Sequence, residues 1–264
     1  MSTEKPKLNV VSLSGGKDSS CLLLMMAEKK MPIDIILYCD VGIAEFPAMY
    51  DHLDKLEQYI GIPITRIKAE KTFEYYMFEH KPKSRYDTAL SREYGADRVG
   101  NGWPGPRMRW CTSRLKTDVI AAYLRPLREK YEVIEYVGIA ADEAHRVKNK
   151  TYPLVDWGVT EKQALEYCYA KGFDFGGLYE LFDRVSCWCC PLQGLKELRA
   201  LRKNFPELWA QLKAWDERTW RKFRADYSVD ELEQRFDFEV ERLAAGLSIN
   251  NRDFFKQLKA MLGK

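Results

Sequence analysis

Val10-Val-Ser-Leu-Ser-Gly-Gly-Lys-Asp-Ser19 is the stretch on which the reading of this chain turns. Residues 9–13 read as a short buried strand, 14–19 as a sharp turn, and 20–29 as a helix with Cys21, Leu22, Leu24, Met25 and Met26 as its apolar positions. Strand, glycine turn and helix in that order aim free backbone N–H groups and the positive end of a helix dipole at an anion. Gly15 and Gly16 let the main chain come close and take positive φ. Lys17 adds a mobile charge, and Ser14 and Ser19 add hydroxyl donors. The plainer alternative is a Gly-Gly turn before a helix capped by Asp18 or Ser19. The apolar strand directly ahead of Ser-Gly-Gly-Lys-Asp-Ser favours the anion loop. The spacing is not that of a Walker loop, which has four residues between its first glycine and its Gly-Lys pair.

Working outward, residues 33–38 form a second buried strand that ends in Cys39-Asp40-Val41-Gly42. A helix over 47–60 carries Met49, Leu53, Leu56 and Ile60 on one face, and 64–67 is a third strand. This β-α-β-α-β order predicts a doubly wound α/β fold, a mainly parallel sheet with flanking helices. Ligands of such sheets bind at the carboxyl ends of the strands, where both the loop and Asp40 lie. A helix is expected over 73–80, then an irregular functional segment over 81–109. Next come a helix over 111–130, a fourth strand over 133–140 and a helix over 160–171 capped by Thr160. Beyond Ser186-Cys-Trp-Cys-Cys-Pro191 the pattern is helical at 195–204, 206–226, 229–245 and 252–262. We therefore expect a nucleotide-binding α/β domain over 1–175 and a cysteine-motif and helical C-terminal part over 176–264.

The 264 residues are 46% hydrophobic and 31% charged, with a net charge of +3. That is ordinary for a globular protein and gives no bulk-charge argument for nucleic acid. Basic residues of the C-terminal helices, such as Lys196, Arg199, Arg202 and Arg221, are interleaved with Glu197, Glu207, Asp216 and Glu217, which favours a solvated face over a nucleic-acid track. No apolar run is long enough to span a membrane, and residues 1–8 lack a signal-peptide core, so a cytoplasmic location is expected. Of seven cysteines, Cys21, Cys39 and Cys168 sit in apolar patterns and read as core. Cys111, Cys187, Cys189 and Cys190 do not.

The loop resembles the pyrophosphate loop (PP-loop) of the N-type ATP pyrophosphatases, whose fold is called adenine nucleotide alpha-hydrolase-like. In that family the loop holds the β- and γ-phosphates of ATP while an acceptor oxygen attacks the α-phosphorus. Four further segments follow in family order: Cys39-Asp-Val-Gly with Glu45-Phe-Pro47, Arg107-Met-Arg-Trp-Cys-Thr112 with Lys116, Gly138-Ile-Ala-Ala-Asp-Glu143 with Arg146, and Tyr152-Pro-Leu-Val-Asp-Trp157. Together they resemble the phosphoadenosine phosphosulfate (PAPS) reductase-like branch over about residues 8–192.

The resemblance implies that Ser14, Gly15, Gly16, Lys17, Asp18 and Ser19 hold nucleotide phosphates and that Asp40 lines the nucleotide pocket. Arg107, Arg109, Lys116 and Arg146 would grip phosphate or sulfate oxygens, where arginine forks suit anion geometry. Asp142 and Glu143 are candidate Mg²⁺ ligands, and His145 is a candidate phosphate contact. The implied cofactor is ATP with Mg²⁺, and Lys17, Asp18 and Cys189 are the expected catalytic residues.

Three departures shape the expected chemistry. Assimilatory reductases carry their nucleophile in a Glu-Cys-Gly-(Ile/Leu)-His tail, whereas this chain ends Phe255 to Lys264 with no cysteine after Cys190. The Cys-Cys pair of the iron–sulfur branch is Cys111-Thr112 here, and the family's Gly-Ile-Arg is Gly138-Ile139-Ala140. The Cys-x-x-Cys element survives as Cys187-Trp-Cys-Cys190, a spacing that lets two thiolates bind one metal centre. Cys111, Cys187 and Cys190 are the candidate metal ligands. By resemblance they hold three irons of a 4Fe–4S cluster and leave one iron open for sulfide, as in PP-loop thiolation enzymes. In the cluster reading Cys189 is a fourth ligand or a persulfide carrier; the alternative is a structural zinc on Cys111, Cys187, Cys190 and either Cys189 or a nearby histidine.

The expected function is therefore adenylation-coupled sulfur transfer. Reduction of an adenylyl sulfate to sulfite and a zinc-bearing nucleotide-binding regulatory module are the alternatives. The expected partners are an adenine nucleotide, an unidentified sulfur donor or thiol reductant, a tRNA, DNA or small-molecule acceptor, and a second copy of the chain, but no membrane.

Overall fold

The computed structural model describes residues 4–81, 92–93, 95 and 97–264. They fall into two compact units, one of Met1–Phe73 with Trp110–Trp188 and one of Glu74–Arg109 with Cys189–Lys264. Residues 82–91, 94 and 96 of the expected irregular segment lie outside the description.

The first unit is built on four parallel strands, β1 (Lys7–Leu13), β2 (Ile35–Asp40), β3 (Ile64–Lys68) and β4 (Glu132–Val137), in the order β3-β2-β1-β4. Its helices are α1 (Lys17–Glu28), α2 (Pro47–Ile60), α3 (Asp118–Lys130) and α4 (Glu161–Ala170). Side chains alternate across the sheet because successive strand residues point to opposite faces. Val11, Leu13, Ile36, Tyr38, Ile64 and Tyr136 bury against Cys21, Leu22 and Leu24 of α1, Leu53 and Leu56 of α2, and Ala164 and Cys168 of α4. Leu8, Val10, Ile35, Leu37, Ile67 and Val133 point the other way, toward Ile120, Leu124 and Leu127 of α3. Helices thus cover both faces of a parallel sheet, which is the doubly wound α/β class. The strand order reverses at β1, so the crevice for a ligand opens at the carboxyl ends of β1 and β4.

Several boundaries differ from the sequence reading for physical reasons. Helix α1 begins at Lys17, because Gly16 takes an extended N-cap conformation. Strand β4 stops at Val137, where the next residue must pass against the backbone of Asp18 and Ser19. The expected helix at 111 begins as one turn, Trp110–Thr112, and runs through a π-turn, Ser113–Thr117, before α3.

In the second unit, Tyr75–Glu79 is a π-turn, followed later by α5 (Leu195–Asn204), α6 (Pro206–Arg218), α7 (Val229–Ala244) and α8 (Arg252–Met261). Trp103 is fully buried; its indole N–H donates to Asp216 at 2.8 Å, and its ring meets Phe223 edge-on. The other Asp216 oxygen accepts the first N–H of α7 at 2.7 Å. The Asn101-Gly-Trp-Pro segment is therefore a core piece of this unit. It also explains why α6 ends at Arg218 and not 226: Trp220 donates to the Gly100 carbonyl, and Gly102 leaves room for Arg221. No helix of the described residues is long and apolar enough to cross a membrane.

Candidate functional site

The loop between β1 and α1 is sewn by its own hydroxyls. Ser19 Oγ accepts the Ser14 N–H at 3.1 Å, donates to the Gly16 carbonyl at 3.0 Å and lies 2.9 Å from Ser14 Oγ. Ser19 is buried and Ser14 exposed. Gly15 holds φ +81°, and a Cβ there would come within 2.9 Å of Met49 Cε. Behind the loop, Ser20 Oγ lies 3.3 Å from the Gly15 carbonyl and 2.9 Å from His52 Nε2. His52 is 4% exposed, its ring 4.3 Å from that of Phe175. Burial, helped by Lys55 and opposed by Asp174, pushes its pKa down to about 4, so the imidazole is neutral.

Lys17 does not extend into solvent. Its ammonium donates to Glu161 at 2.8 Å and to Asp18 at 3.2 Å, with only a tenth of the side chain exposed. Burial lowers its pKa, but the Glu161 and Asp18 carboxylates outweigh this and raise it above the ordinary value. Asp18 is shifted up, chiefly by burial, against the pull of Lys17. Its second oxygen, Oδ1, is buried and meets no hydrogen-bond donor among the described residues. One oxygen each of Asp18, Glu143 and Glu161 lies within 4.8 Å of the other two. That donor set is all carboxylate, which suits a hard divalent cation such as Mg²⁺. Asp142 stands beside it, accepting the Glu161 N–H at 3.0 Å, and Arg146 pairs with Glu143. Gly138 closes the crevice: a Cβ there would sit 2.7 Å from the Asp18 carbonyl and Ser19 Cα.

A second cluster forms at the carboxyl end of β2. Asp40 Oδ1 accepts the Gly42 N–H at 2.7 Å and the Tyr50 hydroxyl at 2.8 Å. Trp188 is fully buried, and its ring N–H and main-chain N–H donate to the Ile43 and Ala44 carbonyls at 2.7 and 3.1 Å. This indole anchor holds Cys187 beside β2, close enough for its charge to act on Tyr38. Cys111 sits in the helical turn that precedes the π-turn, whose opened Leu115 carbonyl accepts the Cys39 S–H at 3.1 Å. Lys116 leaves the same turn, 3.8 Å from Glu45, with 40% of its side chain open to solvent. Burial works against its charge, yet Cys187, Glu45, Cys39 and Cys111, in that order, hold its pKa above the ordinary value. Lys116 thus feels the charges of both Cys187 and Cys111; among the described residues the side chains that bring three possible metal ligands within 4.8 Å of one another are Asp18, Glu143 and Glu161, not the cysteines.

Arg107 and Arg109 are exposed residues of the second unit, which also carries buried Cys189 and half-buried Cys190. His145 is exposed in the 3₁₀ turn Ala141–Arg146.

The loop, the closing glycine and Lys116 lie in the span matched by a family profile: the phosphoadenosine phosphosulfate reductase domain covers residues 8–193. The chain belongs to that family. Among curated relatives, an uncharacterised protein of Methanocaldococcus jannaschii is 27% identical over 76% of this chain, and the match spans 39% of that relative's length. An uncharacterised protein of Escherichia phage 186 is 25% identical over 79% of this chain and 74% of its own. A solved phosphoadenylyl-sulfate reductase from Candida auris, in complex with phosphate, is 13% identical, with a TM-score of 0.45 over 70% of this chain and 83% of that one.

Glu161, His52 and Trp188 join the site without having been assigned to it from sequence, as does Tyr179, whose hydroxyl accepts the Lys17 N–H at 2.8 Å. Glu161 follows the Thr160 cap and reads as an ordinary acidic first-turn residue. His52 reads as one more residue of a helix. The only signal for Trp188 is its place inside the Cys-x-x-Cys element.

Proposed function

We propose that this PAPS reductase family member is a PP-loop enzyme that binds ATP or an adenylyl nucleotide and couples adenylation of an acceptor to sulfur transfer. The acceptor oxygen attacks the α-phosphorus, the bond to the β-phosphate oxygen breaks, and pyrophosphate leaves. The loop over 14–19 holds the departing phosphates through N–H groups at the start of α1 and the Lys17 ammonium, where charge develops. Asp18, Glu143 and Glu161 hold Mg²⁺, which supplies charge neutralisation on the phosphates when bound. Asp40 lines the nucleoside side, and Lys116 and Arg146 take phosphate or sulfate oxygens.

Cys111 and Cys187 would hold a thiolate-ligated metal centre, an iron–sulfur cluster in the first instance, which would supply sulfur or electrons when bound. The observation that carries this reading is that Cys111 and Cys187, far apart in sequence, fall in the same compact unit as the loop, where the charges of both act on Lys116. A cation at that place stabilises thiolates, the form in which cysteine binds metal and attacks sulfur. Cys189 serves as a persulfide carrier. The partners in this scheme are an adenine nucleotide, a sulfur donor or thiol reductant, and the acceptor.

Anaerobic purification with iron, sulfide and zinc analysis tests the reading. About four irons and four sulfides per chain support sulfur chemistry, whereas one zinc without iron makes the cysteines structural and removes sulfur transfer from the proposal. The family name favours one second reading, reduction of an adenylyl sulfate. Sulfite release from adenylyl sulfate with a thiol reductant, in the absence of ATP, distinguishes it.

A further inference from the structure

The first N–H of α1 already has a partner. Lys17 N donates to Tyr179 Oη at 2.8 Å, across 162 residues of chain. This N–H is one of the donors a helix start leaves unpaired, and it belongs to the loop itself. Tyr179 reaches it because the Phe175-Gly-Gly turn is left-handed at three successive residues, with φ of +56°, +61° and +73°. Gly176 is the residue that lets this turn dock: a Cβ there would sit 2.7 Å from Ala48 Cβ at the start of α2. The Tyr179 ring then stands edge-on to Phe175 at 4.8 Å. Gly16 completes the approach, since a Cβ on it would lie 3.3 Å from the phenol oxygen.

The phenol oxygen accepts from Lys17 and keeps its own proton. Among the described residues no group accepts that O–H. Burial raises the phenol pKa more than the Lys17 N–H lowers it, and the nearby Asp18 and Glu161 charges add to the rise, so the proton stays on at neutral pH.

We infer that Tyr179 is a phosphate-binding residue of the loop: its hydroxyl takes the Lys17 N–H and donates its own O–H to a phosphate oxygen of the bound nucleotide. This rests on the proposed nucleotide site and adds to it a neutral donor from the turn after α4. A neutral hydroxyl relays the helix-end polarity without adding a charge beside the three carboxylates. The ligand it reads is the pyrophosphate portion of a nucleoside triphosphate, in keeping with its place at the start of α1.

The test is calorimetric titration of the full chain with ATP and with inorganic pyrophosphate, each with Mg²⁺, in wild type and Tyr179→Phe. Phenylalanine keeps the ring against Phe175, and a melting curve checks the fold. The expected result is about tenfold weaker binding of both probes, the scale of one hydrogen bond to a charged group. Unchanged affinity in a folded variant reduces Tyr179 to a packing residue and overturns the inference. Tighter binding overturns it too, because the phenol would then be occupying an N–H the phosphate needs. Gly16→Ala is the second variant. Its Cβ crowds the phenol oxygen, so it is expected to weaken pyrophosphate binding in the wild type and to add less on top of Tyr179→Phe; equal effects in both backgrounds count against the inference. If the wild type binds neither ATP nor pyrophosphate, the nucleotide site itself is refuted, a result distinct from equal affinities in wild type and variant.

Discussion

Replacing His52 by glutamine will make the protein less sensitive to mild acid. His52 is 4% exposed, flanked by Phe173 and Phe175, and hydrogen-bonded to Ser20 beneath the loop over 14–19. Its pKa falls from 6.5 to about 4 on folding, because burial and Lys55 disfavour the imidazolium more than Asp174 favours it. The folded value lies below the unfolded one, so the unfolded chain takes up the proton first as pH drops. Stability is therefore fully present above pH 6.5 and is lost progressively toward pH 4. Between pH 7 and pH 5 this linkage is worth about 2 kcal/mol, and the whole shift about 3 kcal/mol. Glutamine retains an N–H for Ser20 and does not titrate. The assay is urea denaturation of wild type and His52→Gln at the two pH values, so that carboxylate effects common to both proteins cancel. The account expects the wild type to lose about 2 kcal/mol more than the variant over that interval. Parallel losses would refute the neutral, buried imidazole.

Glu161→Gln removes a carboxylate paired with the Lys17 ammonium, the group proposed to take phosphate. Because that pair is partly solvated, metal-free ATP is expected to bind only a few-fold more tightly, with less dependence on Mg²⁺, in fluorescence titrations with and without the cation. Gly138→Ala drives a Cβ into the Asp18 and Ser19 backbone, and is expected to cost about 1–3 kcal/mol in thermal or chemical unfolding and to weaken ATP binding. Cys111→Ser and Cys187→Ser are each expected to lose bound metal after anaerobic purification. Cys39→Ser is expected to keep it, since the Cys39 thiol is spent on the Leu115 carbonyl and its pKa is raised by burial.

The sheet was legible because its signals are local. Short apolar runs in β1 and β2, a glycine turn and amphipathic helices each declare themselves within a dozen residues. The strand, glycine turn and helix around residues 14–19 were legible for the same reason. What stayed hidden depends on pairs distant in the chain. Nothing local marks Glu161 as the partner of Lys17, or Trp188 as the pin between the cysteine element and the turn after β2. Gly138 was quoted within a motif, but its cause, the Asp18 backbone 2.7 Å from any Cβ, exists only in the folded chain. The Asn101-Gly-Trp-Pro segment misled in the opposite direction. Its glycines, prolines and aromatic suggested an open functional loop, while Trp103 is a fully buried anchor bonded to Asp216. Composition cannot separate the two, because close backbone approach and loop flexibility both call for glycine. The pairing of residues 74–109 with the C-terminal helices in one compact unit likewise has no linear signature.

The central claim is that the loop over 14–19 holds the phosphates of ATP through Lys17 and the start of α1. The most direct measurement is ATP binding by calorimetry with Mg²⁺, with pyrophosphate as competitor, in wild type and Lys17→Ala. The account predicts saturable binding that pyrophosphate displaces, weakened at least tenfold in the variant, about the loss expected for a charged hydrogen-bond donor. No binding by the wild type, or equal binding by both proteins, would contradict it.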